Sequence, residues 1–130
     1  MSNSVQSEQF SGIWHSKYTY PSSGRAAEFE NEHDLRAYQD GNQVVFESVP
    51  DSKSYVIIRM TVHDTIATGN WQEETEKEGY YKGAVYYGSI QMILSDDGKV
   101  FDGKWVGFGK DMEVNVGPWT LTYVGDELPQ

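Results

Sequence analysis

All four tryptophans of this chain stand in one tripeptide, Gly-x-Trp: Gly12-Ile13-Trp14, Gly69-Asn70-Trp71, Gly103-Lys104-Trp105 and Gly117-Pro118-Trp119. Glycine admits sharp bends and the close approach of a neighbouring backbone. Side chains alternate between the two faces of a β-strand, so a Trp two residues after a Gly points to the same side of the sheet. Four such pairs bring indoles from four strands to one interior, which is how a small closed barrel fills its centre.

Period-two alternation supports this along the chain. Trp14, Ser16, Tyr18 and Tyr20 share one face of the first strand, and Ile13, His15, Lys17 and Thr19 the other, before a turn at Pro21-Ser22-Ser23-Gly24. On the second strand Phe29, Asn31, His33, Leu35 and Ala37 alternate with Glu28, Glu30, Glu32, Asp34 and Arg36. The charged row faces solvent, so His33 points inward. Asp40-Gly41-Asn42 is a hairpin turn. The third strand carries Val44, Phe46 and Ser48; the fourth, Tyr55 to Val62, turns Val56, Ile58, Met60 and Val62 inward and Arg59 outward. The fifth, Ile66 to Thr75, places Trp71, Glu73 and Thr75 on one face. Residues 80–95 form the longest extended stretch. Tyr81, Gly83, Val85, Tyr87, Ser89 and Gln91 lie on one side of it, and Tyr86, Gly88, Ile90, Met92 and Leu94 on the other. Both sides are apolar enough to be buried, one as barrel interior and one as a subunit contact. Val100 to Phe108 and Glu113 to Val124 complete the set.

The expected fold is therefore all-β: a single eight-stranded antiparallel up-and-down β-barrel over residues 9–125, between a disordered N-terminal tail (1–8) and a C-terminal tail (126–130). With only four Leu in 130 residues, a helical bundle is disfavoured. A β-sandwich of the same strands is the structural rival.

Composition removes several function classes. There is no cysteine, so disulfides, thiolate nucleophiles and Cys-based metal sites are excluded. A formal charge of -10 opposes binding to nucleic acid, even though aromatics on a sheet suit base stacking. The start of the chain lacks the basic and apolar regions of a signal peptide, and no run is long enough to span a membrane, so the expected location is cytoplasmic. His15, His33 and His63 lack metal-site spacing, and neither a nucleophile elbow nor a phosphate loop is present. The glycine-rich run Gly103 to Gly109 precedes a turn and a strand rather than a helix. No metal and no cofactor is expected; an axial contact to haem would fall to His33 alone.

Two residues stand out as candidates for chemistry. An inward His33 is a ligand contact, a base, or a core histidine bonded to a neighbour. If Trp71 points inward, so does Glu73, and a buried carboxylate needs a cationic partner such as Arg25, Arg36 or Arg59, or else a raised pKa. Exposure at the barrel mouth is the alternative. The tyrosines and indoles offer flat apolar faces with polar tips, suited either to a small flat ligand or to filling the barrel.

Phe10-Ser11-Gly12-Ile13-Trp14 resembles the opening strand of calycin barrels, the lipocalin and avidin group. From Trp14 to Leu121 the chain also resembles a barrel domain that follows helix-turn-helix segments in actinobacterial regulators. The matching stretches are Tyr18 to Arg25, Gly69 to Thr75, Gly79 to Gln91 and Gly103 to Lys110. The resemblance implies a calycin-like barrel with ligand contacts at a strand end and a barrel mouth, but names no ligand. The expected function is binding or sensing of a small molecule at one open end, with Tyr18, Tyr20, Arg25, His33, Trp71, Glu73, Tyr87, Gln91 and Trp105 as lining residues. Arg25 would pair an anionic group or Glu73. The alternatives are an acid-base enzyme using Glu73 and His33, and a packed module that assembles as a homodimer or higher homo-oligomer.

Overall fold

The computed structural model describes residues 9–22, 27–50, 54–75, 84–109 and 112–127. Eight strands follow one another: β1 (Gly12–Ser22), β2 (Ala27–Asp40), β3 (Gln43–Ser48), β4 (Tyr55–His63), β5 (Ile66–Glu74), β6 (Val85–Leu94), β7 (Val100–Phe108) and β8 (Val114–Gly125). Each pairs antiparallel with the next, and β8 closes back on β1, so the sheet is a closed up-and-down barrel. No helix occurs among the described residues. Closure satisfies every strand edge, the structural answer to a chain that is nearly all strand.

Most strand ends fall within a residue of expectation, and the clearest difference is in β1. β1 continues through Pro21 and Ser22, which pair with Glu28 and Ala27, where the sequence suggests a turn. Neighbouring strands extend the ladder past a residue that cannot donate to it, as Pro allows at a strand end. β6 begins at Val85; the earlier part of the 80–95 stretch, residues 80–83, lies outside the described residues, as do the tail 1–8 and residues 128–130.

Gly-x-Trp has a physical basis here. A Cβ at Gly69 would lie 1.7 Å from the carbonyl oxygen of Arg59, and one at Gly103 would lie 1.9 Å from that of Gln91. Only glycine lets these strands come so close to their neighbours as the wall bends. Two residues on, Trp71 and Trp105 turn inward and are buried.

The two ends of the barrel differ. One holds the connections β2–β3, β4–β5 and β6–β7 and is sealed by Phe10, which is fully buried. Its ring meets Trp14 at 6.2 Å and Phe101 at 5.2 Å, and its carbonyl accepts a 2.9 Å hydrogen bond from the Trp14 indole. Phe46 and Tyr123 complete this aromatic plug around Trp14. The other end is where β1 passes to β2, β3 to β4, β5 to β6 and β7 to β8. The half-buried rings of Tyr20, Phe29, Tyr86 and Phe108 stand at its rim, in the pairs Tyr20–Phe29 and Tyr86–Phe108.

Candidate functional site

The buried polar groups of the interior gather toward the Tyr20–Phe29 end. Alternation turns Ser16 and Tyr18 of β1 inward, and the β1–β2 register sets Tyr18 beside Asn31 and Ser16 beside His33. β5 stands four strands from β1 in the closed sheet and brings Glu73 to the same level from the opposite wall. The Tyr18 hydroxyl donates to Oε2 of Glu73 at 2.6 Å. Asn31 Nδ2 donates to the Tyr18 oxygen at 2.8 Å and to the same Glu73 oxygen at 3.3 Å. Ser54 adds a further side-chain hydrogen bond to the carboxylate.

Burial sets the electrostatics of this group. It pushes the Glu73 carboxyl above the ordinary carboxylate value, against the opposing pull of the bonds from Tyr18, Ser54 and Asn31. Burial, followed by the negative charge of Glu73, holds the Tyr18 phenol well above its usual value, so Tyr18 stays protonated and donates. Burial, then the charge of His15 on the outer wall, lowers the His33 imidazole, so it is neutral at pH 7. The His33 ring stands edge-on to Tyr18, 6.3 Å between centroids. Its Nε2 atom is buried and has no hydrogen-bond partner among the described residues.

Beneath this group the indoles form a floor. Trp71 lies 5.8 Å from both Trp105 and Trp119, and Trp119 lies 4.5 Å from Tyr18. Each indole N–H has an acceptor. Trp71 bonds the carbonyls of Ser89 and Val106, Trp105 that of Thr19, and Trp119 the hydroxyl of Ser16 at 2.8 Å. These rings pack on one another and have no free donor to offer.

The expected lining residues therefore divide. Tyr18, His33, Trp71, Glu73 and Trp105 lie inside the barrel, and Tyr20 is half-buried at the rim. Tyr87 and Gln91 need correction. Both stand on the outward row of β6, Tyr87 with 61% of its surface exposed, and neither side chain faces the interior. The inward row is Tyr86, Gly88, Ile90, Met92 and Leu94, because Trp71 of β5 sits opposite Gly88, where no side chain competes for its volume. Arg25 lies outside the described residues. Arg59 is exposed, and among the described residues Glu73 has no ion-pair partner. Among the described residues Glu73 and His33 share no hydrogen bond.

Asn31, Ser54 and Ser16 are the contacts that reading the sequence missed. Asn31 carried a usable signal, since it occupies the inward row two residues before His33. Ser54 carried none, because it precedes β4 in a connection without periodicity. An open depression beside Arg36, Tyr38 and Asp126 lies on the outside, by the sealed end, away from these groups. Among the described residues no cluster of three His, Asp or Glu is placed to hold a metal ion, and no helix is long and apolar enough to cross a membrane.

Fold and site together define a class: a small closed antiparallel barrel, consistent with a calycin-like architecture, with a buried carboxylate bonded across its interior. No protein-family model matches the chain, and no curated protein is significantly similar to it.

Proposed function

We propose that this barrel binds a small organic molecule at the end rimmed by Tyr20, Phe29, Tyr86 and Phe108. Tyr18, Asn31, His33 and Glu73 serve as its polar contacts. The observation that carries this reading is the buried Nε2 of His33, without a hydrogen-bond partner among the described residues, beside the Glu73 network. A buried polar atom left unpaired costs about 1–3 kcal/mol, and a ligand group that pairs it removes that cost. The aromatic floor and rim suit a flat apolar body. Glu73, with no cation near it among the described residues, favours a neutral or cationic ligand carrying a donor over an anion. The resemblance to barrels attached to helix-turn-helix regulators supports a sensing role in the cytoplasm, with any DNA-binding part supplied by another segment or partner.

Native mass spectrometry of protein purified from its own host tests this. A retained mass above the 14.8 kDa chain is expected. Glu73→Gln and His33→Phe each reduce the retained fraction while the fold persists. Protein that carries no small molecule, and a fold-intact Glu73→Gln that retains as much as the parent, are the results against it.

A further inference from the structure

We infer that the outer wall of β6, β7 and β8 docks a second copy of this chain, with Asp102 of each copy against Lys104 of the other. The outer surface of the barrel is unevenly charged. β1 and β2 turn His15, Lys17, Glu30, Glu32, Asp34 and Arg36 outward. On the outward rows of β6, β7 and β8 only Asp102 and Lys104 carry charge. The rest includes exposed apolar residues: Ile93 at 52%, Val106 at 40% and Val116 at 56% exposure, with Tyr87 and Val114 toward the rim. Exposed apolar residues thus lie on either side of the Asp102–Lys104 pair, Ile93 beside Asp102 and Val116 beside Val106, and on a chain of charge -10 such a weakly charged wall marks an interaction surface.

A copy of the same chain is the occupant that the two charges fit. A twofold contact is self-complementary: whatever residue i meets on its partner, that residue meets i in return. Asp102 and Lys104 are opposite in sign, adjacent on one outward row, and Lys104 has no ion-pair partner among the described residues. A twofold axis lying across the strands between them sets Asp102 on Lys104 of the second copy, twice. The same axis lays Val106 of one copy toward Val100 of the other. In register beside these lie Val116 next to Val106, and Ile93 next to Asp102. The acidic wall of β1 and β2 is then turned away from the contact, so copies meet where like-charge repulsion is least. Apolar burial supplies affinity, and the doubled ion pair fixes the register.

Sedimentation equilibrium of the full chain over about 1–100 µM reads the outcome. The expected result is a species of twice the 14.8 kDa chain mass. Lys104→Asp or Asp102→Lys alone raises the dimer dissociation constant by about tenfold or more, because each reversal creates two like-charge contacts. The double reversal Asp102→Lys with Lys104→Asp restores the parent value. Near-UV circular dichroism confirms that each variant is folded. A monomer at every concentration overturns the inference. So does a dimer indifferent to the single reversals, or one that the double reversal leaves weak.

Discussion

Tyr18 and Glu73 face each other from opposite walls of the barrel, and the 2.6 Å hydrogen bond between them crosses its interior. The bond joins β1 to β5, strands that share no backbone pairing, and so ties the two halves of the cylinder through side chains. Asn31 braces it by donating to both oxygens. Removing one hydroxyl therefore affects three groups.

Tyr18→Phe leaves the Glu73 carboxylate without its shortest donor and Asn31 Nδ2 without its nearer acceptor. The expected loss is about 1–3 kcal/mol of unfolding free energy, read from urea denaturation. The Glu73 pKa rises further, since the Tyr18 bond acts to lower it. A variant as stable as the parent with Glu73 titrating unchanged would show the bond to be incidental.

The acid limb of the stability curve carries two opposed contributions. Folding raises Glu73 above its ordinary 4.5, so the native state holds a proton that the unfolded chain has released. Its contribution is fully present below pH 4.5 and is lost as pH rises through the raised value. Folding lowers His33 below 6.5, so its contribution is present above 6.5 and is lost as pH falls through the depressed value. Thermal melts against pH should show Glu73→Gln removing the component that falls with rising pH. His33→Phe removes the component that rises. Identical slopes in parent and variants would contradict both assignments.

Ser16 and the Trp119 indole form an isolated buried pair, each 1% exposed or less. Ser16→Ala orphans the N–H, and Trp119→Phe orphans the hydroxyl and opens space. Each single change costs about 1–3 kcal/mol or more. The double variant costs less than the sum, because neither partner is left unpaired. Strict additivity in the cycle is the result that argues against a coupled pair.

Phe10 closes one end of the barrel from outside the strand framework. Phe10→Ala should cost about 3–5 kcal/mol, measured by chemical denaturation, because the ring is fully buried against Trp14 and Phe101. A cost under about 1 kcal/mol would mean that the end seals without it.

Gly69→Ala places a methyl within 1.7 Å of the Arg59 carbonyl oxygen, a backbone atom that cannot swing aside. Strands β4 and β5 must separate to admit it. The expected effect exceeds about 4 kcal/mol, in the range where a domain of this size no longer folds. Soluble, cooperatively melting Gly69→Ala protein would remove the proposed reason for the glycine in this tripeptide.

The sequence alone determined the all-β strand succession and much of its inside-outside pattern, while closure into a barrel rather than a sandwich was decided by the pairing of β8 with β1. Rows such as Phe29-Asn31-His33-Leu35-Ala37 against Glu28-Glu30-Glu32-Asp34-Arg36 have one phase that buries carbon and hydrates charge, so alternation fixes the facing without a tertiary partner. The same rule carried Trp71 and Glu73 inward together. Residues 85–94 have two acceptable phases, since both rows are apolar enough to bury, and only the pairing of Trp71 with Gly88 selects one. That choice sent Tyr87 and Gln91 outside. Nor does spacing along a chain reveal which side chains meet across a lumen. Closure alone brings Tyr18, Asn31 and Glu73, up to 55 residues apart, onto one carboxylate oxygen.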